Sequence, residues 1–198
     1  MLKSEIRILG IDDAAFESKS NRKPSKRTTP VIGVVYRGGK FLDGVLRTDV
    51  TIDGMDATAK LVGLINNSRH KRQLRVVMLD GITLAGFNIV DIVKLHRATE
   101  LPVLVVNRKM PNLTSVREAL KNFKDYETRW QTIKRAGKVK KCKLKGDKDL
   151  YYQSIGLEDE EAEEVLLLSS THGLLPEPLR VAHLIATAIV RGESYGRA

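Results

Sequence analysis

Three short apolar runs separated by helix-like segments set the strongest limit on how this chain folds. They are IRILGID (residues 6–12), VVMLD (76–80) and LPVLVVNRK (101–109). Runs this short and this continuous read as strands buried on both faces. Between the second and third, FNIVDIVKLHRATE (87–100) carries apolar residues at helical spacing, as DATAKLVGLINNSR (56–69) does before the second. Asp56 stands where an N-cap or first-turn acid belongs. Residues 30–52 divide into two β-rich halves around Arg37-Gly38-Gly39-Lys40, a strong hairpin signal. A hairpin followed by buried strands alternating with helices predicts an α/β sheet covered on both faces.

From Pro111 the texture changes. SVREALKNFKDYETRWQTIKRAG (115–137) reads as a polar helix, and KVKKCKLK with DLYYQSIGL as a second small hairpin. We therefore expect one domain over 1–198 with a small α+β insertion at about residues 111–157. The chain closes on an amphipathic helix in PEPLRVAHLIATAIVRGE, whose proline-acid-proline turn fixes its start.

Composition narrows the partners. The 198 residues carry a net charge of +10, concentrated in KSNRKPSKR (19–27) and IKRAGKVKKCKLKGDK (133–148). Such clustering favours a phosphate-binding side over a uniformly basic surface. EDEEAEE (158–164) reads as a solvated helix face. No apolar run approaches the roughly 18–20 residues that cross a bilayer, so no membrane partner is expected. The N-terminus reads as a strand rather than an export signal. The single cysteine, Cys142, forms no internal disulfide, and a cytoplasmic location is expected. Cys142 itself reads as a strand residue, since no histidine base is coupled to it. Oligomeric state is left open.

The first two apolar strands end in acids, Asp12 and Asp80. In α/β sheets the functional crevice lies at the carboxyl ends of the strands. On adjacent parallel strands the two carboxylates would lie about 5 Å apart, where their repulsion calls for a cation. Carboxylates with water and substrate phosphate suit Mg²⁺ or Mn²⁺, which assist phosphodiester hydrolysis. The alternative from the residues alone is that each acid begins a turn or caps a helix.

GIDDAAF (10–16), YRGGKFLDGVLRTDVTIDGMDAT (36–58), VVMLDGITLAGFN (76–88) and LPEPLRVAH (175–183) together resemble the archaeal endonuclease dU family. That family is similar to endonuclease V, with its ribonuclease H-like fold. Gly10-Ile11-Asp12, Asp80-Gly81, the strand ending at Lys109 and Pro176-Glu177-Pro178-Leu179-Arg180 each match an endonuclease V motif in order. The resemblance implies metal-dependent cleavage of DNA near a deaminated base, deoxyuridine or deoxyinosine, in DNA repair; whether RNA is also cut is left open. Three departures stand out. The glutamate that endonuclease V carries after its third strand is absent, with Asp56 the nearest counterpart and Asp49 and Asp53 as rivals. ITLAGF replaces the histidine-proline-arginine segment after Asp80-Gly81, and the acid of the last helix falls on His183.

The expected site is thus Asp12, Asp56 and Asp80 holding Mg²⁺ or Mn²⁺. His183 completes the shell, moves protons or serves only as a helix residue. Asp13 is expected to point to the opposite face of its strand. Lys109 contacts the scissile phosphate or attacking water, or is a surface lysine. Lys23, Lys26, Arg27, Lys140 and Lys141 follow the nucleic-acid backbone. Arg180 orients a phosphate or pairs with Glu177. Gly81, Gly86 and Phe87 border a base pocket, with Phe87 either a stacking surface or a core residue. The alternative function is a catalytically decayed nucleic-acid-binding protein of the same fold. A phosphotransfer enzyme is disfavoured, because no GxxxxGK[ST] segment is present.

Overall fold

In the computed structural model, which describes residues 5–14, 27–144 and 149–194, seven strands form one mixed sheet in the order β3-β2-β1-β4-β7-β9-β8. The strands are β1 (Arg7–Asp13), β2 (Thr28–Arg37), β3 (Phe41–Thr51), β4 (Leu74–Asp80), β7 (Val103–Asn107), β8 (Lys140–Lys143) and β9 (Asp149–Ile155). The three apolar runs become β1, β4 and β7, which lie side by side and parallel at the centre. β2 and β3 form the hairpin expected around Gly38-Gly39 and add antiparallel to β1. The second hairpin, β8–β9, joins the same sheet through antiparallel pairing of β9 with β7.

Period-2 alternation divides the central strands between two cores. Leu9, Ile11, Val77, Leu79, Val103 and Val105 face α1 (Ala57–Asn66) and α2 (Ile92–Thr99). Ile8, Val76, Met78, Leu104 and Val106 face α5 (Asp159–Ser169) and the start of α6 (Glu177–Arg191). The acidic stretch opens α5 with a capping box between Glu158 and Glu161 and buries Ala162, Val165 and Leu166.

Two helix expectations need correction. Residues 88–89 do not belong to a helix: β6 (Asn88–Ile89) pairs with β5 (Thr83–Leu84) in a small ribbon. The helix starts only at Ile92, where the Asp91 side chain accepts a hydrogen bond from Lys94 N–H. The long polar helix is likewise two, α3 (Leu113–Leu120) and α4 (Tyr126–Arg135). The break turns Phe123 inward, 5.4 Å from the Phe87 ring and beneath the buried Arg129 guanidinium. Arg129 also donates to the carbonyls of Asp53, Gly54 and Phe87, tying α4 to the loops at the strand tips.

α6 presses hardest on the sheet at Gly10. A Cβ there would lie 2.4 Å from the carbonyl carbon of Pro178, so β1 and the first turn of α6 touch backbone to backbone. Gly10→Ala is expected to destabilise the fold by about 3 kcal/mol or more, since the clash falls on backbone rather than a movable side chain. Gly63→Ala on α1, whose Cβ would meet nothing within 4 Å, should stabilise by about 0.5–1 kcal/mol. Urea denaturation of both variants checks the pair of opposite signs.

Candidate active site

β1 and β4 deliver Asp12 and Asp80 to the carboxyl edge of the sheet on the same face as Met78 and Val106. α6 covers that face and brings His183, whose Nδ1 donates to Asp12 Oδ2 at 2.8 Å. On the other side of Asp80 stands Arg108, with 3.7 Å between guanidinium and carboxylate. Asp12 is 6% exposed, while the Asp80, His183 and Arg108 side chains are 20%, 30% and 36% exposed, so Asp12 is the most dehydrated member of the cluster.

The electrostatics reflect this crowding. Burial, reinforced by the charge of Asp12, pushes Asp80 up to about 6, although Arg108 and His183 pull it down. The His183 imidazole is raised above its ordinary value, chiefly by its hydrogen bond to Asp12. Carboxylates that resist joint ionisation are short of positive charge, and two oxygen-donor acids beside an open crevice suit a hard divalent ion. Among the described residues no three His, Cys, Asp or Glu side chains converge into a full cage. Asp12 and Asp80 are the two acids here that could contribute oxygen ligands to such an ion.

The other acids face elsewhere. Asp13 points to the opposite side of β1, where Oδ2 accepts from Ala85 N–H at 3.0 Å, and burial and Asp12 push it up to about 7. Asp53 Oδ1 accepts from Phe87 N–H at 2.9 Å, while its own N–H donates to Ala85 O at 2.8 Å. Asp53 and Ala85 both adopt positive φ, 55° and 49°, and the Asp53 N–H to Ala85 O hydrogen bond links the two strained residues. Asp56 does not join Asp12 and Asp80 as expected. Its carboxylate accepts from Thr51 N–H and Oγ1–H and from Asn88 Nδ2 at 2.7 Å. Burial pushes Asp56 up, but these donors outweigh it and hold the group below the usual carboxylate range. Asp49 pairs with Arg47 on the exposed face of β3. Asp13, Asp53 and Asp56 thus brace the 81–88 segment, whereas Asp12 and Asp80 face α6.

The basic residues also separate. Lys109 is exposed, and the cation beside Asp80 is its neighbour Arg108. Alternation carried the signal: 104, 106 and 108 share the Asp80 face, and 109 does not. Arg180 pairs with the buried Glu177 through two hydrogen bonds of 2.9 and 2.8 Å. Lys140 pairs with Asp159, and Lys141 with Asp149 at 2.7 Å, along the edge strand β8. Arg27 sits just before β2, where its carbonyl accepts from Ile52 N–H. Lys23 and Lys26 lie outside the described residues. Cys142 is buried, and burial pushes its thiol up to about 11, so it is no nucleophile at neutral pH. At the tips of β4 and β7, Gly81, Phe87 and Asn107 border a hollow of about 250 Å³ that neither Asp12 nor Asp80 lines, with Phe87 packed on Phe123 rather than open on both faces.

The family described as endonuclease dU matches residues 4–190. The chain belongs to the endonuclease dU family. It is 48% identical over its full length to a UPF0215 protein of Methanothermobacter thermautotrophicus, covering 94% of that protein. A UPF0215 protein of Methanosarcina mazei is 49% identical, again over all of this chain and 97% of the relative. A crystal structure of a protein of unknown function from Archaeoglobus fulgidus superposes with a TM-score of 0.83 at 39% identity, over 95% of this chain and 100% of the other. Ciona intestinalis endonuclease V, solved with a DNA containing an inosine, superposes at 0.60 with 12% identity, over 95% of this chain and 87% of that one. Human ENDOV gives 0.57 at 16% identity, over 96% and 86%. The fold is that of endonuclease V, a ribonuclease H-like mixed sheet with helices on both faces, and family and fold together support a nuclease. Among the described residues no helix is long and apolar enough to cross a membrane.

Stability without metal should record the carboxylate repulsion. A raised Asp80 favours the folded state below its ordinary value of 3.8, and that advantage is lost as pH rises through about 6. In EDTA above pH 7, Asp80→Asn should therefore be more stable than the parent, on the order of 2 kcal/mol. The difference should vanish below pH 4. Thermal melts across this range check it.

Proposed function

We propose that this chain is a metal-dependent endodeoxyribonuclease that cleaves DNA near deaminated bases, deoxyuridine or deoxyinosine, in cytoplasmic DNA repair. The observation that carries the reading is the pairing of Asp12 with Asp80 at the carboxyl edge of parallel strands, braced by His183 and Arg108, in a chain of the endonuclease dU family. Mg²⁺ or Mn²⁺ held by these acids would supply charge stabilisation for the departing oxygen and activation of water.

The protein's own residues do the rest. Asp12 fixes the His183 ring through Nδ1, leaving Nε2 to exchange a proton with water or the leaving oxygen. Arg108, beside Asp80, would offer its guanidinium to a phosphate oxygen, and Lys109 would meet a neighbouring phosphate from the exposed tip of the same segment. The hollow beside Gly81 and Phe87 receives the base taken out of the stack.

A second reading, a nucleic-acid-binding protein that no longer cuts, is favoured by one observation: Asp56 is engaged by Thr51 and Asn88, and among the described residues no third acid joins Asp12 and Asp80. Incubation with duplexes carrying deoxyuridine, deoxyinosine or only normal bases separates the two. The expected outcome is scission of a modified duplex with Mg²⁺ or Mn²⁺, none in EDTA, and a loss of about 10³-fold or more in Asp80→Ala or Asp12→Ala. Intact duplexes throughout, with parent and Asp80→Ala binding DNA alike, would leave the second reading.

A further inference from the structure

A larger hollow adjoins the one beside Gly81. The outer hollow, about 580 Å³, is lined by Met110, Trp130, Lys134, Lys138 and Val139. The two share Pro111, Leu113, Ile133 and Gln153 as a common wall. The two hollows therefore adjoin, and the inner one lies at the tips of β4 and β7, where Gly81 follows Asp80 and Asn107 precedes Arg108.

Three features describe what the outer compartment accepts. Its floor is apolar and aromatic: Trp130 is half-buried, with Met110 and Leu113 exposed at the rim by 57% and 42%. Its charge is wholly positive, because Lys134 and Lys138 line it and no acid lines either compartment. Within the basic stretch, Lys140 and Lys141 are held by Asp159 and Asp149, whereas Lys134 and Lys138 are exposed and form no ion pair among the described residues. Trp130 carries the Arg117 guanidinium 5.6 Å from its ring centroid and lines the hollow together with two available ammonium groups, a set that suits a base with its phosphate. An uncharged apolar segment would leave both lysines without a role.

We propose that the outer hollow is a second nucleobase compartment, which takes an unpaired base flanking the one held beside Asp80, stacked on Trp130 with its phosphate at Lys134 and Lys138. The occupant is a single-stranded or locally melted stretch of nucleic acid. This rests on the nucleic-acid reading of the Asp12–Asp80 site, but not on cleavage there.

Trp130 is the only tryptophan in the chain, so its emission reports this hollow alone. The metal-free, full-length protein in EDTA is titrated with a labelled single-stranded oligothymidylate of about ten nucleotides, a length within a single-strand site. Label anisotropy and Trp130 emission are followed together. Saturable quenching in step with anisotropy is expected. Lys134→Ala/Lys138→Ala should weaken binding about tenfold or more and flatten its salt dependence by about one to two phosphate contacts. Trp130→Phe should retain most of the affinity that Trp130→Ala loses, a difference that reads stacking rather than folding. Asp80→Asn should quench like the parent. Binding by anisotropy with unchanged Trp130 emission and no effect of the lysine pair would overturn the proposal. So would quenching by an uncharged apolar peptide but not by the oligonucleotide. Quenching without scission of any duplex would instead remove the nuclease reading and leave this compartment standing.

Discussion

The arrangement of the site depends on one close approach, the backbone of Pro178 against Gly10. Because glycine has no Cβ, the first turn of α6 sits directly on the middle of β1. From that contact, five residues along the helix advance about 7.5 Å, and two along the strand advance about 6.6 Å. The two elements therefore run side by side, and His183 arrives beside Asp12. The buried Glu177–Arg180 pair holds the same turn in shape. Arg180, a candidate for phosphate, thus acts on the site through the helix that carries His183.

A second ordering comes from the two faces of the strands. Neighbouring residues at each tip point opposite ways, so Asp12 and Asp13, Asp80 and Gly81, Asn107 and Arg108 are divided between two surroundings. One face gathers charge under α6, where dehydration makes each carboxylate matter to its neighbour. The other shapes the cleft, with Asp13 and Asp53 hydrogen-bonded to backbone N–H groups of residues 85 and 87. Asn88 completes the brace by donating to Asp56 while its side-chain carbonyl accepts from Ala57 N–H. Acids close together in sequence thus serve different ends: charge at the crevice or form in the loop beside it.

Much of this was legible without coordinates. Hydrophobic period found all three central strands, the leading hairpin and α6, because a strand buried on both faces or an amphipathic helix writes its surroundings into its own composition. The pairing of Asp12 with Asp80 followed from strand ends meeting at one edge. The misreadings share a cause. Residues 88–89 and 121–125 carry local helical character, yet pairing with Thr83–Leu84 just upstream takes the first out of helix, and the distant Phe87 takes the ring of Phe123. Asp56 looked like a ligand because it opens a helix near a motif. Its hydrogen bonds to Thr51 and Asn88 depend on how β3 and the 81–88 segment meet.

By itself, then, the sequence determined the sheet, its parallel centre and the two acids at its edge, since these follow from short-range periodicity and the order of strands. The tertiary structure decided which cation stands beside Asp80, which acids turn away from it, and that the basic segment from the last turn of α4 onward leaves Lys134 and Lys138 available while pairing Lys140 and Lys141. Those outcomes depend on side-chain direction and on contacts between residues far apart in the chain, which no local pattern records.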